Sequence, residues 1–404
     1  MEEHTLLLAA ATLFLYGLLA RKIEQADITA PMLFTALGIA CGPLGLNWIS
    51  TELNDELVMI IAEVTLAVVL FTDASQIRLK HLTQFERYPI RLLAIGLPLT
   101  IVCGALTGFW LTGLGWLNAI ILAIILTPTD AALAQSVMEK KAIDRNLRHS
   151  INVESGLNDG IALPLLLLAL ALSQLGNIDQ LNTSHWLEFI SLQLILGAVA
   201  GVLIGRSGSY LINRAHYSHW ISPLYQRLSS ISIALMAFSA AELLQGNGFI
   251  AVFVAGLFMQ TRHKIVIQRI KEFGEAEGEL LTLSVFFIFG AVFIPLAWPY
   301  LTAEMVIYAL FSLTLVRMLP VWLSLLGTGL ATKSKLFLAW FGPRGIASIL
   351  YLLLVMQQTG TSDNYPLLQA TAIVTIALSV FLHGASTSLW IWLFKARPDK
   401  TDPS

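Results

Sequence analysis

ILTPTDAALA, residues Ile125 to Ala134, interrupts an apolar run with a proline, two threonines and an aspartate. Pro128 has no N–H to donate, and its ring clashes with the preceding helical turn. Thr127, Thr129 and Asp130 carry side chains that can satisfy the backbone groups so released. The spacing therefore predicts a helix that breaks within its apolar stretch. The same device recurs in WFGPRGIAS, Trp340 to Ser348, where Gly342, Pro343 and Gly345 interrupt a second apolar run.

Outward from these breaks the chain is apolar almost throughout. Of its 404 residues 56% are hydrophobic and 12% charged, with a mean hydropathy of +0.74. A soluble domain needs far more charge to cover its surface, so the composition indicates an integral membrane protein. Apolar segments of about 17 to 25 residues, each able to span a hydrocarbon core of ~30 Å, recur at 5–20, 28–49, 57–73, 89–112, 116–138, 147–173, 186–205, 222–244, 247–261, 280–297, 301–326, 334–356 and 366–394. These thirteen segments predict an all-α polytopic protein with 13 transmembrane helices. The first is not a cleaved signal peptide, since Glu2 and Glu3 precede it and Arg21 and Lys22 follow it. Of the 24 Lys and Arg residues, all but Arg317 and Arg344 fall in or beside alternate loops. Cytoplasmic loops accumulate positive charge, so the N-terminus is expected outside and the C-terminus in the cytoplasm.

The breaks lie in segments five and twelve. With segment seven (about 186–205) as a linker, residues from about 1 to 173 and from about 222 to 395 form two six-helix repeats. The fifth member of each is the broken one, and the single linker makes the second repeat enter the membrane inverted. That pattern predicts a binding site at the midplane between broken helices. Residues 1–395 then form one transmembrane unit, 396–404 a short cytoplasmic tail, and no soluble domain is expected. Gly197, Gly201 and Gly205 make a small-residue stripe suited to close helix packing. Residues 262–278 suggest a short amphipathic helix at the inner interface, or a solvated loop. Cys41 and Cys103 have no disulfide or metal spacing.

Charge within hydrocarbon costs at least ~2.5 kcal/mol per group, so it needs a reason. The stretch INVESGLNDGIALPLL, Ile151 to Leu166, holds the densest cluster. Glu154 and Asn158 are i, i+4 neighbours on one helical flank, and Ser155 and Asp159 are i, i+4 neighbours on the adjoining one. Hard monovalent cations want several oxygen ligands, which the carboxylates of Asp159 and Asp130, the Ser155 hydroxyl and the Thr129 oxygens can supply. In a dry site desolvation disfavours a bare carboxylate, so a cation and a proton compete for it. Glu154 is better matched to Arg317 as a buried charge pair that also orients Asn158, although it remains a candidate ligand. Each helix break exposes ends carrying about half a charge: Asp130 can offset a positive N-terminal end, and Arg344 a carbonyl end. Glu63 and Asp73 read as packing or funnel residues, and Glu242 as solvated. No phosphate-binding loop of the G-x-x-x-x-G-K type is present, so no nucleotide is expected as a partner; lipid is expected, and nucleic acid is not.

At LTPTDAA, VESGLNDG, VRMLPVW and FGPRGIAS the chain resembles the monovalent cation:proton antiporter-1 family, the electroneutral sodium/proton exchangers that include NhaP-like bacterial antiporters. The resemblance covers nearly the whole chain. It implies the Na+/H+ antiporter fold, a homodimer with a mobile core moving in an elevator-like manner, and Asp159 as principal carrier of cation and proton. Transported Na+ would lie at Asp159, Asp130, Ser155 and Thr129, with no cofactor. The Asn158–Asp159 pair is similar to the electroneutral branch; electrogenic relatives carry two adjacent aspartates. FGPRG departs from the more usual double-glycine form, and a long regulatory tail like that of animal relatives is not expected. The lean build suggests a bacterial inner membrane. A K+/H+ antiporter of the same fold is the neighbouring alternative. An intramembrane aspartyl protease would explain two aspartates, but not Asn158, Arg317 or the repeat. A channel is disfavoured because a tight carboxylate site holds ions too strongly for rapid conduction.

Overall fold

The computed structural model describes residues 3–24, 28–49, 55–76, 87–130, 133, 143–175, 183–259, 264–359 and 365–395. All regular structure among the described residues is helical. In chain order the main helices are α1 (Glu3–Glu24), α2 (Ala30–Cys41), α3 (Asp55–Gln76), α4 (Leu97–Thr112), α5 (Trp116–Ile125), α6 (Arg145–Leu175), α7 (Thr183–Tyr217) and α8 (Pro223–Leu243). There follow α9 (Gly248–Phe258), α10 (Lys264–Ile288), α11 (Ala303–Phe311), α12 (Arg317–Ser324), α13 (Thr332–Trp340), α14 (Ile346–Thr359), α15 (Tyr365–Ala385) and α16 (Thr387–Lys395). Each apolar segment of the sequence coincides with one or two of these helices. Seven described helical stretches are long and apolar enough to cross a membrane, and five more are apolar but shorter. Two of the short ones, α5 and α14, are halves of the interrupted runs.

α7 is longer than the expected linker, with 35 residues. Its glycine stripe packs face to face with α9: a Cβ on Gly197, Gly201 or Gly205 would run into the carbonyl oxygens of Asn247, Ala251 and Ala255 in turn. α3 lies at the centre, against α8, α9, α10 and α14.

One expectation is corrected. Residues 264–278 are not a separate interfacial helix but the first half of α10, which runs unbroken to Ile288. No proline interrupts the stretch, Lys271 and Glu275 pair at i, i+4 (3.5 Å), and Gly274 packs against Thr72 of α3.

Among the described residues three π-helical turns, Leu92–Gly96, Phe289–Phe293 and Ser312–Val316, sit within longer helical runs. Each contains the carbonyl four residues before a proline: Ala94 before Pro98, Ala291 before Pro295, Val316 before Pro320. The missing proline N–H leaves that carbonyl without its α-helical donor, and the wider turn accommodates the loss. The third turn delivers Arg317 to the interior, 2% exposed.

Candidate functional site

The helix leading to the first break ends at Ile125, and Thr127 to Asp130 continue without helical structure. α13 ends at Trp340, and residues 341–345 are likewise non-helical before α14 begins. The two breaks cross and satisfy each other. The Asp130 N–H donates to the Pro343 carbonyl at 2.8 Å. The Asp130 carboxylate accepts from the Ile346 N–H at 3.0 Å, at the first residue of α14. In return Arg344 Nη1 donates to the carbonyls of Thr127 (3.1 Å) and Pro128 (3.4 Å) at the end of the α5 run. Each break thus holds the charge that suits the other's helix end, anion at N–H groups and cation at carbonyls. Asp130 sits at the partner helix's start; the chain just after Asp130 lies mostly outside the described residues.

The glycines of FGPRG make this approach sterically feasible. A Cβ on Gly345 would collide with the Asp130 carboxylate, and one on Gly342 with the Arg317 guanidinium.

α6 runs alongside the first break and grips it. The Ser155 hydroxyl donates to the Thr129 carbonyl, and Asn158 Nδ2 donates to Thr129 Oγ1 at 2.8 Å. The Thr129 N–H reaches back to Asn158 Oδ1 at 3.4 Å. Asp159, one residue on, is 2% exposed. Its Oδ1 has no hydrogen-bond partner among the described residues, and Asp130 lies within its electrostatic reach. An unpaired buried carboxylate oxygen is costly, and it marks a place where a proton or cation would be stabilised. Thr129, Asp130, Ser155, Asn158 and Asp159 therefore lie together around the first break.

Glu154 stands apart from that group. Its Oε1 accepts from Arg317 Nη2 at 2.5 Å, with both side chains 3% exposed. Arg317 also lies against Gly342 of the second break, so the pair braces α6, α12 and the break together. Of the other acids, Asp73 is half-buried near Asp130, Lys271 and Glu275, and Glu242 Oε1 accepts from the Gly248 N–H at the start of α9.

Several contacts escape sequence reading. The Tyr351 hydroxyl of α14 donates to the Asp159 carbonyl. Asn247 caps α9 by accepting from the Ile250 N–H at 3.0 Å and donates to the Gly160 carbonyl at 3.2 Å. Ser379 and His383 of α15 bond to the second break. The only signal for these was a polar residue inside an apolar helix, and that pattern does not identify a partner.

Buried carboxylates held where two broken helices cross, inside an all-helical multi-pass membrane protein, define the class of ion-coupled secondary transporters. The chain belongs to the transmembrane sodium/hydrogen exchanger family, matching it over residues 8–393. It is 26% identical to the K(+)/H(+) antiporter NhaP of Alkalimonas amylolytica over 98% of this chain and 68% of that protein. It is 24% identical to the K(+)/H(+) antiporter NhaP2 of Shewanella sp. strain MR-4 over 91% of this chain and 63% of that one. The chain thus spans about two thirds of the length of the curated relatives it matches. Among solved structures, the sodium proton antiporter MjNhaP1 of Methanocaldococcus jannaschii at pH 8 superposes with a TM-score of 0.79. That match covers 96% of this chain and 98% of that one at 21% identity, and the two share the fold. Relatives so named are transporters and not enzymes.

Proposed function

We propose that this chain exchanges a monovalent cation for a proton across the cell membrane, with Asp159 as the group for which the two ions compete. The observation that carries this is the buried Oδ1 of Asp159, without a hydrogen-bond partner among the described residues, beside Asp130 at the crossed breaks. Asp130, Ser155 and Thr129 complete an oxygen-rich surround, Asn158 fixes Thr129, and Glu154 is held by Arg317 as a strut. Cation loading at deprotonated Asp159, reorientation, proton uptake and return make a cycle without cofactor or nucleotide. The reading includes thirteen spans with the N-terminus outside and the C-terminus in the cytoplasm. It also includes a homodimer whose core domain moves in an elevator-like manner, and a bacterial inner-membrane setting.

Na+ is the proposed cation, in keeping with the oxygen-only surround. The K(+)/H(+) names of the NhaP relatives favour K+ as the second reading. The test is purified protein in liposomes with an internal pH dye, challenged in turn with Na+, Li+ and K+. Cation-driven proton movement that Asp159→Asn abolishes supports the proposal; full activity in that variant overturns it. The cation giving the lowest half-saturating concentration decides between the two readings.

A further inference from the structure

In an unbroken helix the Trp340 carbonyl would accept from the Arg344 N–H four residues later. The second break separates the two groups: the Trp340 carbonyl accepts from the Gly342 N–H at 2.7 Å inside the break, and both it and the Arg344 N–H find a further partner on α15. His383 Nε2 lies 3.0 Å from the Trp340 carbonyl, and the Arg344 N–H donates to Ser379 Oγ at 2.7 Å. These partners are themselves joined, with Ser379 Oγ 3.1 Å from His383 Nδ1; the Ser379 carbonyl is also 3.0 Å from that nitrogen.

A carbonyl only accepts, so the Trp340 contact places the ring proton on Nε2. Ser379 Oγ takes the Arg344 N–H on a lone pair and keeps its own proton to donate to Nδ1 of the neutral ring; the Ser379 carbonyl then meets Nδ1 as a second acceptor and makes no hydrogen bond with it. The imidazole rests against the Trp340 indole, ring centroids 5.1 Å apart, and Trp340 Nε1 donates to Ser386 Oγ at 2.9 Å, in the turn that follows α15. Ser379 and His383 are 0% and 1% exposed, so water does not compete for these bonds.

A parallel exists at the first break. There the next full helix, α6, grips Thr129 through Ser155 and Asn158. Ser155 and Asp159 share the i, i+4 spacing of Ser379 and His383. One helix places at the second position a carboxylate whose Oδ1 has no partner among the described residues, and the other an imidazole with a partner at each ring nitrogen.

We infer that Ser379 and His383 form a side-chain splint that stands in for the severed Trp340–Arg344 hydrogen bond, and that both are positioning residues for Arg344. The splint fixes the backbone from which Arg344 reaches the Thr127 and Pro128 carbonyls. It thereby sets how the two breaks cross beneath Asp130. The link to transport rests on the antiport reading above; the link to backbone order does not.

The experiment measures hydrogen exchange by mass spectrometry on the full chain in lipid nanodiscs, for peptides spanning 340–346, alongside cation-driven proton movement in liposomes. Ser379→Ala and His383→Phe should each raise exchange at the break about tenfold, as expected for losing one buried hydrogen bond. Peptides in α8 should stay unchanged. The double variant should exceed the larger single effect by less than about twofold, because the two side chains act as one unit. His383→Gln keeps a donor for the Trp340 carbonyl and an acceptor for Ser379. It should exchange like the natural protein and restore the half-saturating cation concentration that His383→Phe raises. Unchanged exchange in both Ser379→Ala and His383→Phe, or a His383→Gln variant as exposed as His383→Phe, overturns the splint. If the natural protein moves no protons, the antiport reading fails, and the exchange data still decide the splint.

Discussion

Glu154 and Asp159 lie five residues apart on α6, yet their surroundings assign them opposite tasks. Glu154 faces a guanidinium at 2.5 Å, whereas one oxygen of Asp159 faces no partner among the described residues. Removing one member of a buried pair leaves an uncompensated charge and costs about 3–5 kcal/mol. Arg317→Ala should therefore lower the melting temperature in detergent sharply. Adding Glu154→Gln to that variant should recover part of the loss, because the stranded carboxylate is gone; additive losses would contradict the pairing. Gly345 offers a second prediction at this scale. Because its Cβ would occupy the space of the Asp130 carboxylate, Gly345→Ala should displace Asp130 and weaken cation-driven proton movement at least tenfold, as expected when a site residue shifts by about 1 Å. Gly345→Ala transport equal to the natural protein would show that Asp130 need not sit there.

At the scale of elements, what the sequence makes legible is what local chemistry dictates. Pro128 and the Gly-Pro-Arg-Gly run announce the breaks because proline removes a helical donor and glycine is a poor helix former, and here they fall together with polar side chains that can take up the freed backbone groups. The glycine stripe of α7 announces close packing because a face without side chains lets another backbone approach. Its partner was hidden, and the structure supplies α9. Gly201→Val should consequently force α7 from the Ala251 carbonyl and destabilise the protein by about 1–3 kcal/mol, the usual cost of overpacking, read as reduced thermal stability in detergent. The same substitution at Gly17, which has open space around it, is the control. The continuity of α10 was not legible, because its charged first half resembles a loop by composition. The splint was not either: His383 meets Trp340 across 43 residues of sequence, and an isolated histidine in an apolar helix does not name its partner. The Glu154–Arg317 pair spans 163 residues and was still legible, because two opposite charges in hydrocarbon have few other options.

For the whole molecule the decisive quantity is the charge moved per cycle. Asp130 is held by the Ile346 N–H, Arg344 by the Thr127 and Pro128 carbonyls, and Glu154 by Arg317. These groups neutralise one another and the helix ends. On the proposed antiport reading Asp159 is then the group whose charge changes hands, bound to a cation in one direction and to a proton in the other. The transported unit is then neutral both ways, and exchange should be electroneutral. A net charge crossing the membrane is worth about 2.3 kcal/mol per 100 mV, which shifts the cation gradient that balances a given pH gradient by roughly fifty-fold. The measurement is that balance point in liposomes, found by varying external Na+ until the internal dye holds steady, with and without an imposed potential of about 100 mV. An unchanged balance point supports a single carrier at Asp159. A shift approaching fifty-fold would mean that a second group, with Asp130 the nearest candidate, also loads and unloads during the cycle. The same assay repeated at lower pH should show the half-saturating Na+ concentration rising by up to about tenfold per pH unit, since a proton on Asp159 must leave before the cation binds. A half-saturating concentration independent of pH would separate the two ions and place the proton elsewhere.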